Sequence, residues 1–208
     1  MKVRNLLFGL ACVFCFGWLA SSAEVNKALI DDLAIKSSFQ RGLEVLHKSN
    51  KKTPLKSLVQ QLGRRKTTVS FPDEKGRNLA AADFYNNCKS SVLLVGRMYK
   101  CGKCTKWHVS SASGFAINDD VIATNYHVVE NSDGVALGAM DSTGKTYAVK
   151  EVLAAHKADD VAILKLADAN LKSLPLASTA PVGTSVSVIS HPDGRYFTMT
   201  KGDVSRYF

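Results

Sequence analysis

The sequence predicts an all-β fold: a small closed β-barrel, then the opening strands of a second β unit, with a short α-helical segment in front. Three observations carry this. From about residue 88 the apolar residues leave helical spacing for short β-branched and aromatic runs. Clusters of Asn, Asp, Ser and Gly separate those runs at regular intervals. Upstream, leucines and a phenylalanine recur at near-helical intervals among Lys, Asp and Gln. The 208 residues are 46% apolar and 22% charged, within the range of chains that fold, and their number allows one ordinary domain or two small ones.

At the N-terminus Met1-Lys2-Val3-Arg4-Asn5 is basic, Leu6 to Ala20 is apolar, and Ser21-Ser22-Ala23 offers small residues for cleavage. That order reads as a secretory signal peptide over residues 1–23, cut after Ala23. The apolar run falls short of the roughly 20 residues that span a bilayer. No stable membrane insertion is therefore expected after cleavage, and the mature chain is expected to be secreted or periplasmic. The formal charge of +9 divides unevenly: residues 24–66 carry ten Lys and Arg against four Asp and Glu, residues 67–208 fifteen against fourteen. With no interleaved aromatics, the basic segment reads as a solvated helical face and not as a nucleic-acid surface.

Residues 24–66 form the expected helical segment, with Leu29, Leu33, Phe39, Leu43 and Leu46 as its first apolar stripe. In a second, shorter helix Thr53 is expected as N-cap and Pro54 as the first helical residue. Leu55, Leu58, Val59 and Leu62 form its apolar face, and Gly63 is its left-handed stop. Arg64 to Gly76, basic and then turn-rich, leads into a linker assigned to residues 67–87. Strands are expected at Ser91–Tyr99, Trp107–Ile117, Val121–Thr124, Val135–Met140, Thr146–Ala154 and Val161–Leu166. So many strands in so short a stretch argue for closure, because an open sheet would leave its edges unpaired. This first barrel is assigned to about 88–170. A second β unit, about 180–208, opens with Val186–Ile189 and Tyr196–Met199.

Chemistry is sought at strand ends. His127 follows Val121-Ile122-Ala123-Thr124, and Asp159-Asp160 leads directly into Val161-Ala162-Ile163-Leu164. A Ser-His-Asp hydrolase needs a base that titrates near neutrality and a carboxylate that fixes its tautomer, and His127 with Asp160 could be that pair. Ser113-Gly114-Phe115-Ala116-Ile117, Ile122-Ala123-Thr124-Asn125-Tyr126-His127-Val128-Val129 and Asp160-Val161-Ala162-Ile163-Leu164-Lys165-Leu166 together resemble trypsin-like serine proteases. The likeness is to the secreted bacterial branch typified by the high-temperature-requirement (Deg-type) proteases, and it covers about residues 88–208.

That resemblance implies a chymotrypsin/trypsin-like double β-barrel, its first barrel complete and its second truncated. It also implies serine endopeptidase chemistry on polypeptide substrates without a cofactor, with His127 and Asp160 as catalytic His and Asp. Asp159 matches no catalytic position and is read as a solvated turn residue. Ser190-His191-Pro192-Asp193-Gly194 and Gly202-Asp203-Val204-Ser205 resemble the loop and strand just inside the family's second barrel. The family's Gly-x-Ser-Gly-Gly motif is absent, and the order His, Asp, Ser requires it after Asp160. Ser205, with no glycines after it, is read as a strand residue. On this reading the 208-residue chain lacks the nucleophile and the oxyanion donors and is inactive as given. Two other readings stand beside it: a non-catalytic binding protein that retains the barrel, and a CxxC redox or metal-binding protein.

Without the leader's Cys12 and Cys15, the cysteines are Cys88, Cys101 and Cys104. Cys101-Gly102-Lys103-Cys104 falls at a hairpin tip, where a local disulfide is expected in an oxidising compartment. A metal held by Cys101, Cys104 and His108 lacks an evident fourth ligand, so no metal is expected. Thioredoxin-like chemistry would need a helix N-terminus in an α/β fold. Cys88 is expected to be a buried free thiol.

Overall fold

A computed structural model describes residues 29–49, 52–72 and 79–207. The expected signal peptide and most of the turn at 72–76 lie outside them. Six antiparallel strands close into a barrel: β1 Val92–Lys100, β2 Trp107–Ala116, β3 Val121–Thr124, β4 Gly134–Met140, β5 Thr146–His156 and β6 Val161–Leu166. Their order around the barrel is β1-β2-β3-β6-β5-β4. β1 pairs along its whole length with β2, from Val92 opposite Phe115 to Lys100 opposite Trp107, and its other edge pairs with β4 from Leu94 opposite Met140. Every barrel strand therefore has two hydrogen-bonded neighbours, as the strand density of the sequence leads one to expect. Leu93, Val95, Ile122, Leu137, Val149, Val152 and Leu164 are buried in one contiguous core. Each contributes about 1.5–3 kcal/mol on burial.

Turn chemistry sets the hairpins. Between β4 and β5, the buried Asp141 Oδ1 accepts the backbone N–H of Thr143 at 2.9 Å and its hydroxyl at 2.6 Å, while Oδ2 accepts the Tyr147 hydroxyl at 2.8 Å. Burial and this carboxylate push the Tyr147 phenol up to about 12. Beyond the barrel, β7 Ser185–Ser190 and β8 Thr198–Asp203 pair with each other as a separate two-stranded sheet.

Among the described residues, three α-helices precede the barrel, α1 Asp32–Lys48, α2 Leu55–Gln61 and α3 Ala81–Cys88, and α4 Tyr126–Val129 follows β3. Asp31 caps α1, its Oδ1 accepting the Ala34 N–H at 2.9 Å. α1 lies against β4 and β5 and buries Phe39 and Leu43 there, with Leu46 half-buried. Leu29 precedes the helix, and Leu33 is 78% exposed, so the expected stripe narrows to its central members.

α2 departs from its expected caps by one residue. Pro54 is the N-cap, while Thr53 Oγ1 donates to the Lys150 carbonyl of β5 at 2.7 Å. Gly63 does not take the left-handed conformation; the helix ends in i→i+3 turns, Leu62 N–H to Val59 O and Arg64 N–H to Gln61 O. The stretch expected to be linker contains α3, a helix with no buried residue, which periodicity could not reveal. The basic run after α2 is not simply a solvated face. Arg64 Nη1 donates to Glu151 Oε1 at 2.5 Å and Val152 O at 2.8 Å, and Arg65 Nη1 to Ala155 O at 3.1 Å, strapping this segment along β5.

Candidate active site

The site forms where β3 ends and β6 begins. The Thr124 hydroxyl at the end of β3 donates to the Ser113 carbonyl of β2 at 2.8 Å, fixing the point from which α4 departs. Asn125 is the N-cap of α4, but its side chain caps nothing. Its Nδ2 donates instead to Asp160, at 3.1 Å to the carbonyl and 3.2 Å to Oδ2. His127 sits in the first turn of α4.

Opposite, the turn after β5 closes with the Asp160 N–H on the Lys157 carbonyl at 3.2 Å, and Asp160 takes a left-handed φ of 50°. Asp enters that region more readily than most residues, and here it faces the carboxylate toward α4. Asp160 Oδ1 accepts the His127 backbone N–H at 3.0 Å, and Oδ2 lies 2.8 Å from His127 Nδ1. The carboxylate thus holds both the backbone and the ring of the same histidine.

The His127 backbone N–H is the largest influence on the Asp160 carboxyl. With the His127 ring and the Asn125 amide, it outweighs a partial burial and holds that carboxyl below the usual carboxylate range. An ionised Asp160 can only accept hydrogen bonds, so Nδ1 carries the imidazole proton and Nε2 offers a lone pair. The two side chains are 60% and 43% exposed, so their contact adds little to stability. Its consequence is orientation: a base of fixed tautomer beside a cleft of about 100 Å³ lined by Gly96, Arg97, Ser110 and Ser111.

The other candidate residues lie elsewhere. Asp159 is exposed as expected yet paired, its Oδ2 2.7 Å from His156 Nδ1. Ser205 is not a strand residue: β8 ends at Asp203 and Ser205 is exposed beyond it. Cys101 and Cys104 are free thiols with sulfurs 3.6 Å apart, and Cys104 Sγ lies 3.1 Å from His108 Nε2. The Lys103 backbone N–H holds the Cys101 thiol below its ordinary value. Cys88 is half-buried and not fully buried, and that burial pushes its thiol up.

Two residues given no role on sequence grounds stand out. Asn125 carries only the signal of an N-cap residue type. His191 is 5% exposed; its Nδ1 accepts the Phe197 N–H at 2.9 Å and its own N–H donates to Ser113 Oγ at 2.9 Å.

The segment that carries this site is similar to known proteins. Residues 112–208, from within β2 onward and including both His127 and Asp160, match the family described as the trypsin-like peptidase domain. The anti-sigma-I factor RsgI9 of Acetivibrio thermocellus is 34% identical over 99 residues, covering 46% of this chain and 14% of that protein. The probable periplasmic serine endoprotease DegP-like of Halomonas elongata is 36% identical over 99 residues, covering 46% of this chain and 20% of that protein. The chain thus spans a fifth or less of these relatives. Residues 112–208 are thus similar to the trypsin-like peptidase domain.

Proposed function

We propose that this trypsin-like domain supplies the base and its orienter to a serine endopeptidase acting on polypeptide substrates outside the cytoplasm. The observation that carries the reading is the double grip of Asp160 on His127, ring at 2.8 Å and backbone at 3.0 Å. In that mechanism His127 Nε2 takes the proton of an attacking Ser hydroxyl and returns it to the leaving amine, while Asp160 stabilises the imidazolium between the two transfers. The nucleophile and oxyanion donors belong to a Gly-x-Ser-Gly-Gly segment, which the 208 residues do not contain. Export is supported by the basic, apolar and small-residue order of residues 1–23 and by the periplasmic relative.

The test is fluorophosphonate labelling and peptide turnover, with the protein expressed from its whole reading frame and as the 208 residues alone. The short polypeptide is expected not to label. A frame that supplies the Ser segment is expected to label, to begin at Glu24 after export, and to lose about 10⁴-fold in turnover on Asp160→Asn. Labelling of Ser205 in the short polypeptide, abolished by His127→Ala, would make Ser205 the nucleophile and overturn the assignment. A second reading, the barrel as a non-catalytic binding module, draws on the likeness to an anti-sigma-I factor. A whole frame without the Ser segment, binding polypeptide equally well after His127→Ala, would establish that reading instead.

A further inference from the structure

The tip of the β1–β2 hairpin gathers three soft donors. β1 ends at Lys100 and β2 begins at Trp107, with Lys100 opposite Trp107 and Tyr99 opposite His108. Between them Cys101-Gly102-Lys103-Cys104 turns tightly, Gly102 at a left-handed φ of 72°. Cys101 Sγ, Cys104 Sγ and His108 Nε2 all lie within 4.8 Å of one another.

We propose that Cys101, Cys104 and His108 bind one thiophilic divalent ion of the zinc class, clamping the hairpin tip and leaving the fourth coordination position to solvent. The separations decide between this and a disulfide. Bonds of about 2.3 Å to sulfur and about 2.0 Å to nitrogen in a tetrahedron put two thiolates about 3.8 Å apart, and a thiolate and an imidazole nitrogen about 3.5 Å apart. Two of the three observed spacings, 3.6 Å and 3.1 Å, lie within a few tenths of an ångström of these values, and the third, Cys101 Sγ to His108 Nε2, is at most 4.8 Å and must close further on binding. A disulfide would require the sulfurs to close to about 2.05 Å, and it would leave no role for the imidazole already aimed at Cys104.

The surroundings favour a preformed clamp. The Tyr99 ring stands 5.7 Å from the His108 ring, centroid to centroid, and limits its swing. Lys100, which precedes Cys101, is engaged on its own partners: its Nζ donates to the Thr105 carbonyl and lies 4.0 Å over the Trp107 ring. Among the described residues no fourth His, Cys, Asp or Glu joins the cluster. Cys104 is exposed, so water reaches the open position. Binding displaces one proton from each thiol to solvent and forms two metal–sulfur bonds and one metal–nitrogen bond, with no electron transferred.

This proposal is independent of the protease reading and is tested on the full chain, with Cys12 and Cys15 replaced by Ser in every sample. Reduced protein titrated with Co²⁺ is expected to bind one ion per chain, with thiolate-to-metal charge-transfer absorption that Zn²⁺ displaces. Cys104→Ser is expected to abolish most of that absorption, and His108→Ala to weaken binding on the order of 100-fold, more than loss of a supporting group costs. Cys88→Ser should change neither. Unchanged circular dichroism in the variants would confirm that they are folded. Absence of the charge-transfer band, a band indifferent to His108→Ala, or recovery of Cys101 and Cys104 as a disulfide from the native compartment would overturn the proposal.

Discussion

His191 lies where the chain leaves β7 to turn back toward β8, 5% exposed, with the Phe197 ring edge-on to it and the Tyr196 ring tilted against it. Burial pushes its pKa down from 6.5 to about 4, so the folded chain keeps this ring neutral at pH values where an unfolded chain would protonate it. Below pH 6.5 the unfolded state therefore binds the extra proton, and stability falls as the pH drops toward about 4. Above 6.5 the full contribution is present. The full difference is on the order of 3 kcal/mol. Urea unfolding is expected to show this loss between about pH 7 and about pH 4.5. His191→Phe should flatten that slope, yet start about 1–3 kcal/mol lower at pH 7, because the Phe197 N–H loses its buried acceptor. An unchanged slope in the variant would transfer the effect to other groups. Asp160 has the same sign for a different reason: its depressed carboxyl is exposed, and what protonation removes is the orientation of His127.

Between elements, α1 approaches the barrel closely, and the approach is made possible by glycines. A Cβ at Gly42 would lie 2.1 Å from Thr146 Oγ1 and 2.6 Å from its Cβ, and one at Gly138 would meet Leu43 Cδ2 and the Tyr147 carbonyl at 2.9 Å. Gly42→Ala must therefore lift the helix from β5, because rotating Thr146 leaves its Cβ in place, a strain of about 1–3 kcal/mol in a packed interface. That exceeds the up to 1 kcal/mol that Ala gains over Gly in a helix. Thermal unfolding is expected to show net destabilisation of Gly42→Ala, relieved when Thr146→Gly, which removes the opposing Cβ as well, is added; a Gly42→Ala variant more stable than the parent would disprove the close approach. How far such elements can be read from sequence depends on whether they bury a face. The change of period near residue 88 located the barrel strands within one or two residues, since each buries an apolar side. β5 runs on to His156 past bulges after Val149 and Val152, where the apolar alternation fails. α3 has no fully buried residue and left no trace in the pattern. His127 and Asp160 were legible because each adjoins an apolar strand; the diverted Asn125 side chain and the left-handed Asp160 were not, because both depend on the two chain segments meeting.

At the scale of the molecule, stability should follow the hydrogen-bond topology. The six barrel strands each have neighbours on both sides, whereas β7 and β8 have one neighbour apiece, and an isolated two-stranded ribbon is marginal in water. What holds the ribbon is concentrated at its turn. There His191, Tyr196 and Phe197 are buried, and Ser113, Asp32 and Tyr85 supply hydrogen bonds of 2.9, 2.8 and 3.1 Å to His191 N, Tyr196 N and Phe197 O. The far end lacks such burial: Val182 is 61% exposed, and Ser185 and Asp203 are exposed as well. Amide hydrogen exchange under native conditions is therefore expected to fall into three tiers. The β1 to β6 amides should exchange slowest, those near Ser190 and Thr198 at intermediate rates, and those near Ser185 and Asp203 fastest. Ser113→Ala removes the acceptor of the His191 N–H and should move the middle tier toward the fast one while the barrel amides keep their protection. Uniform protection from Ser185 to Asp203, equal to that of the barrel, would mean that the ribbon is held along its whole length and not through its turn.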